Sequence, residues 1–174
     1  MGTVKPAPAW FIADANVLID YAQTSPEILT LVAKHLGVVH VAAAVLDEVG
    51  QIDAAQCRKM GLRVVDGTLA QLMEASRRGG ALSFEDKLCL VLARENGWTC
   101  LSNDVLLRNA CVAQGVSVLW GLEIMLQLIE AGHLDVDQAI AVADAIHAVN
   151  PLYITQEIVR AFRRKAQHKG KKAE

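Results

Sequence analysis

Four acidic residues lie far apart in this 174-residue chain, yet each stands at the edge of an apolar segment: Asp14, Glu48, Asp86 and Asp104. Asp14 ends the run Trp10-Phe11-Ile12-Ala13, and Asp104 follows Trp98-Thr99-Cys100-Leu101 through the polar pair Ser102-Asn103. Glu48 sits in AAAVLDEVGQI, and Asp86 opens DKLCLVLAREN. Carboxylates that converge repel one another, and the usual resolution is a hard divalent cation, Mg²⁺ or Mn²⁺, that takes oxygen ligands. Such a site handles phosphates and supports phosphodiester hydrolysis. Each acid also has a plainer role. Asp14, Asp86 and Asp104 stand where a helix start favours an acid. Glu48 has Asp47 beside it, and the apolar face marked by Val45, Leu46 and Val49 does not separate the two.

What could bring these acids together is the alternation of elements. Trp10 to Ala13, Val38 to Val41, Leu62 to Val65, Trp98 to Leu101 and Val116 to Leu119 read as short strands, continuous and apolar as strands buried on both faces should be. Between them run helical patterns: VLIDYAQ, EILTLVAKHL opened by Pro26, AAAVLDEVGQI, AAQCRKM, TLAQLMEASRR closed by Gly79-Gly80, DKLCLVLAREN behind a Ser83 cap, and Asp104 to Gln114. This order predicts an α/β fold with a central parallel sheet covered on both faces. In an open sheet of that kind, residues just beyond the carboxyl ends of the strands share one crevice. After Gly121 only helices follow: LEIMLQLIEAG, VDQAIAVADAIHAVN with Asp135 and Asp137 at its start, and ITQEIVRAFRRKA. The closing AQHKGKKAE reads as a frayed, solvated tail.

Composition narrows the function. With 53% apolar and 21% charged residues the chain can bury a sizeable core. Its longest apolar stretch, Gly37 to Leu46, is too short to span a membrane. The first residues carry no secretory pattern, and a cytoplasmic location is expected. Cys57, Cys89, Cys100 and Cys111 show no metal-binding spacing and read as small core hydrophobes. His40, inside a strand, reads as a core residue. The net charge of −2 conceals a division, since residues 160–172 hold seven of the 17 basic residues and no acid. An acidic body of that kind is unlike a groove-reading DNA-binding domain. No Ser-His-Asp order, Walker loop or G-x-G-x-x-G supports acyl transfer, NTP hydrolysis or dinucleotide binding.

The segments FIADANVLID, AAAVLDEVGQI and LSFEDKLCLVLARENGWTCLSND together resemble the PIN domains, a family of metal-dependent nucleases. The resemblance covers residues 8–120 and implies a three-layer α/β/α nuclease domain. Residues 121–166 then form a C-terminal helical extension, like that of a PIN-like subgroup, and 167–174 a basic tail. It implies that Asp14, Glu48, Asp86 and Asp104 are catalytic, that Asp14, Asp86 and Asp104 bind Mg²⁺ or Mn²⁺, and that the substrate is RNA. Asn16, Ser102, Asn103 and Arg108 are the expected substrate contacts, with Arg77, Arg78 and the basic tail as further candidates for phosphate. Similarity to VapC-type toxins implies an endoribonuclease silenced by a small antitoxin protein, and a homodimer is the commonest assembly. Two departures stand out: Ala15 occupies the position where the family often has Thr or Ser, and Val105 to Arg108 supplies no second acid. A PIN-like RNA-processing nuclease without an antitoxin, or a catalytically silent binding module, are the alternatives.

Overall fold

The computed structural model describes residues 9–173; the readings of residues 1–8 and of Glu174 fall outside these described residues. Five strands, β1 (Ala9–Ala13), β2 (Gly37–Ala42), β3 (Arg63–Val65), β4 (Thr99–Leu101) and β5 (Val118–Leu119), form one all-parallel sheet in the order β3-β2-β1-β4-β5. The chain builds outward from β1 to β3, then crosses back to place β4 on the other side of β1. The strand order therefore reverses between β1 and β4. Side chains at the carboxyl ends of these two strands border the crevice that such a reversal opens.

Helices cover both faces. Before the crossing run α1 (Ala15–Thr24), α2 (Glu27–His35), α3 (Ala43–Glu48) and α4 (Ala54–Lys59). Around it run α5 (Leu69–Ala75), α6 (Phe84–Asn96) and α7 (Val105–Ala113), which pack on one another, with α6 against β1, β2 and β4. Right-handed crossovers put these two groups on opposite faces of the sheet. The start signals read from the sequence operate as expected. Asp14, Thr68, Ser83, Asp104 and Asp135 all accept a backbone N–H at a helix start, as does Asp53, which the sequence pattern did not single out, each such cap contributing about 1 kcal/mol.

Two helices stop sooner than their apolar patterns suggest. α3 ends at Glu48 because Val49 turns to an extended conformation and buries its side chain. α5 ends at Ala75, where the Ser76 hydroxyl donates back to the Leu72 carbonyl at 2.7 Å and competes with the helix ladder.

The C-terminal helices are α8 (Glu123–Glu130), α9 (Val136–Val149) and α10 (Gln156–Ala173). α8 packs on α2 and α9 on α1, so the extension thickens the first helical layer. Ile124, Met125, Leu128, Ala143, Ile146 and Phe162 join Val17, Leu18 and Leu29 in one continuous core. The expected frayed tail is helical through Ala173. Ala166 is buried, Lys169 pairs with Glu130 at 2.6 Å, and Gly170 lies so close to Val136 that a Cβ would stand 2.6 Å from its Cγ2. Tertiary contact holds a segment whose polar composition alone reads as solvated.

The four cysteines are free and buried. His40 is a core residue, its Nδ1 3.0 Å from the Phe11 carbonyl oxygen and its ring stacked on Trp98. Among the described residues no helix is long and apolar enough to cross a membrane.

Candidate active site

The crevice between β1 and β4 is bordered by the residue that directly follows each strand, Asp14 and Ser102. The Asp14 N–H extends the ladder to the Leu101 carbonyl at 3.1 Å, and the Ser102 N–H does the same to Leu119. Asp14 is only 1% exposed. Its Oδ1 accepts the Val17 N–H at 2.8 Å and its Oδ2 the Ser102 hydroxyl at 2.5 Å. The same Ser102 hydroxyl oxygen accepts the Asp104 N–H at 3.0 Å. One fully buried serine thus ties the two strand-end acids together. Asp104 uses Oδ1 alone for the cap, accepting from Leu106 and Leu107, and leaves Oδ2 without a hydrogen bond.

Asp86, on the first turn of α6, lies within the electrostatic reach of Asp14 and Asp104. It is part of a capping box, its N–H bonded to the Ser83 hydroxyl and its Oδ2 accepting the Ser83 N–H at 3.3 Å. The capping role and proximity to the other acids coexist, since Oδ1 remains open. Glu48 is exposed at the end of α3, and its carboxyl feels both Glu85 and Asp86. Asp47 instead lines a separate hollow with Leu46 and Asp53, so position along the short helix separates the pair that the sequence left together.

Electrostatics link the four. Burial, reinforced by Asp86 and Asp104, outweighs two hydrogen bonds and pushes the Asp14 carboxyl up to about 7. Asp86 is also raised, by burial first and then by Asp104 and Glu85, and Glu48 is raised by partial burial, Glu85 and Asp86. Glu85, next to Asp86, belongs to this acidic field. The group is short of positive charge.

A divalent cation would relieve that shortage, and the donor chemistry suits Mg²⁺ or Mn²⁺. The available atoms are carboxylate oxygens, and the remaining lone pairs of Asp14 and the open oxygens of Asp86 and Asp104 are free of hydrogen bonds within the described residues. Among these residues no three His, Cys, Asp or Glu side chains form a ready ligand group.

The expected substrate contacts divide. Asn16, on the first turn of α1, is partly exposed with no hydrogen bond from its amide to the described residues. Ser102 and Asn103 are 0% and 5% exposed, and their polar atoms are hydrogen-bonded within the fold. Asn103 donates Nδ2–H to Asp20 Oδ2 at 3.1 Å and accepts the Gly121 N–H at 2.8 Å. Gly121 is required by this close approach: a Cβ there would lie 2.9 Å from Asn103 Nδ2. Arg108 donates to the Ser102 carbonyl at 3.2 Å while its guanidinium lies 3.6 Å over the Trp120 ring, bracing the loop from behind.

Sequence reasoning missed Asp20 and Asn150. Asp20 is 3% exposed, and its Oδ1 accepts from Asn150 Nδ2 at 2.9 Å. The network Asn150-Asp20-Asn103 fastens the end of α9 to the loop that carries Asp104. The sequence held one signal for Asp20: Val17, three residues earlier, places it on the apolar face of α1. Asn150 reads only as a helix end before Pro151.

Comparison with family models, with curated proteins and with solved structures returns no match, so the functional reading rests on the geometry of the site and on the motif resemblance.

Proposed function

We propose that this protein is a Mg²⁺- or Mn²⁺-dependent endoribonuclease of the PIN type, acting as the toxin of a toxin-antitoxin pair. The observation that carries the reading is the convergence of Asp14, Asp86 and Asp104 at the strand-order reversal, within one another's fields and with Glu48 at the rim. A buried carboxyl raised by its burial and by two acidic neighbours is poorly explained by helix capping, which needs only one acid.

When bound, the cation supplies positive charge to the phosphate oxygens and lowers the pKa of a bound water. Asp14, Asp86 and Asp104 would hold it, directly or through water. Ser102 sets the separation of Asp14 and Asp104, and its burial excludes solvent from that link. Glu48 accepts no hydrogen bond from the described residues and offers a carboxylate that could take a proton from water at the rim. The Asn16 amide, two residues beyond Asp14, would orient phosphate or water.

The test is cleavage of a mixed single-stranded RNA pool by purified protein, with Mg²⁺ or Mn²⁺ against EDTA, beside Asp14→Asn and Asp104→Asn. Cation-dependent cutting that disappears in both variants supports the reading. A folded wild type that neither cuts RNA nor binds Mn²⁺ in calorimetry overturns it. The antitoxin is tested separately, by co-purification with the product of an adjacent small reading frame.

A further inference from the structure

Around α6 from Asp86, the charge changes sign. Lys87 is the next residue, turned about 100° around the helix. It lines a cavity of about 290 Å³ with Arg77, Arg78 and Arg94, and Leu82 and Leu90 supply part of the apolar wall. The cations there are not equivalent. Arg94 is neutralised within the fold, by Glu74 at 2.9 Å, and its other arm donates to Gln114. Lys87 spends one N–H on the Arg77 carbonyl at 2.8 Å and has no carboxylate partner among the described residues. Arg77 and Arg78 are exposed, and their guanidinium groups pair with none of the described residues. The chain turns immediately after them through Gly79 (φ 113) and Gly80 (φ 79). A Cβ at either glycine would meet nothing within 4 Å, so the backbone conformation, and not a lack of room, calls for glycine there.

We propose that this cavity is a subsite for the sugar-phosphate backbone of single-stranded RNA, seating the strand beside the acidic crevice; the inference rests on the nuclease reading above. Two guanidinium forks and an ammonium match phosphodiester oxygens, and the apolar wall suits a ribose or base. The cavity is at the small end of ligand-sized clefts, which suits one nucleotide unit. It also meets an electrostatic need. Outside residues 160–172 the chain carries 10 basic against 19 acidic residues, and an RNA strand approaching the carboxylates needs a local cationic hold. On α10, Arg163, Lys165 and Lys169 pair with Asp144, Glu123 and Glu130, while Arg160, Arg164 and Lys171 are exposed without a carboxylate partner among the described residues but do not line this cavity.

The experiment uses the full chain and a fluorescein-labelled mixed-sequence RNA about a dozen nucleotides long. Binding is followed by anisotropy in EDTA over a salt series. Arg77→Gln with Arg78→Gln is compared with Arg58→Gln plus Lys59→Gln, which removes equal charge from the exposed surface of α4. The first pair should weaken binding about tenfold and reduce the slope of log K against log salt by about 1.4, the contribution of two single-strand phosphate contacts. The α4 pair should leave both unchanged. Equal slopes for the two pairs overturn the inference. So does displacement of the RNA by stoichiometric AMP, which would make the cavity a free-nucleotide site, or by polyglutamate, which would make it a site for acidic peptides. Cation-dependent cleavage with KM unaltered by Arg77→Gln plus Arg78→Gln overturns the subsite and leaves the nuclease reading standing. A wild type that neither binds nor cuts RNA overturns both.

Discussion

Helix α1 carries two buried aspartates six positions apart, Asp14 at its cap and Asp20 along its length, and they have opposite surroundings. Asp20 is enclosed by amides. Asn103 and Asn150 each donate to one of its oxygens, and these bonds oppose the rise that burial imposes on its pKa. Asp14 has a hydroxyl and one backbone N–H, but Asp86 and Asp104 add to the effect of burial. The same side chain at similar burial therefore does two jobs. Surrounded by donors, an aspartate fastens the structure; surrounded by acids, it leaves a demand for positive charge that a cation or a proton must meet.

That contrast is open to measurement. The largest effect is expected in catalysis. Asp14→Asn or Asp104→Asn should lower cation-dependent RNA cleavage about 10³-fold in initial-rate assays. A variant at Asp14 that keeps wild-type rates would remove the distinction between the two aspartates.

Next comes the dependence of stability on pH at Asp14. Its folded pKa lies above the ordinary 3.8, so the folded state holds a proton that the unfolded chain releases. The stability associated with the protonated carboxyl is fully present below pH 3.8, is lost as the pH rises to about 7, and is flat above. Asp14→Asn keeps a neutral group there at every pH. In EDTA it should stabilise the protein by about 4 kcal/mol at pH 8 and by little at pH 4, read from urea midpoints at the two pH values. Equal shifts at both would show that Asp14 carries no such proton.

Asp20→Ala should act in the other direction, costing about 2–3 kcal/mol at pH 7, because it leaves two buried amide N–H groups without their acceptor. A cost below about 1 kcal/mol in urea denaturation would mean that water replaces the carboxylate there and that Asp20 is no fastener. Ser102→Ala should be milder, about 1–2 kcal/mol, and should lower cleavage as well, since the serine joins Asp14 to Asp104. The smallest effect is expected away from both aspartates. Arg163→Gln breaks an exposed pair with Asp144 and should change stability by no more than about 0.5 kcal/mol.

Much of the frame could be read from residue order. The five strands, the caps at Asp14, Thr68, Ser83 and Asp104, and the change to helices after Gly121 follow from patterns a few residues long. Asp14, Asp86 and Asp104 could be singled out because each lies at an element boundary, where local rules already make it visible; Glu48 stood out from Asp47 only through the family resemblance. Ser102 and Asn103 were visible as polar residues in the right loop, but not as buried fasteners. Their role depends on Asp14, Asp20 and Gly121, which no local pattern associates with them. The helical tail was misread for the same reason: its polar sequence does not reveal that Glu130 and Val136 lie alongside it.

The sequence by itself determined the alternation of elements, the acid at each boundary and the excess of cations near the C-terminus, because propensity, periodicity and capping act over a turn or two of chain. Only the tertiary structure decided that β4 returns to the side of β1, that Asn150 meets Asp20 across 130 residues, and that Glu48 and not Asp47 joins the acidic field. It also decided that Arg163, Lys165 and Lys169 of α10 meet carboxylates while Arg77 and Arg78 meet none among the described residues. Burial and Coulomb interaction act through space, and their sizes are set by neighbours that the chain brings together only when it folds.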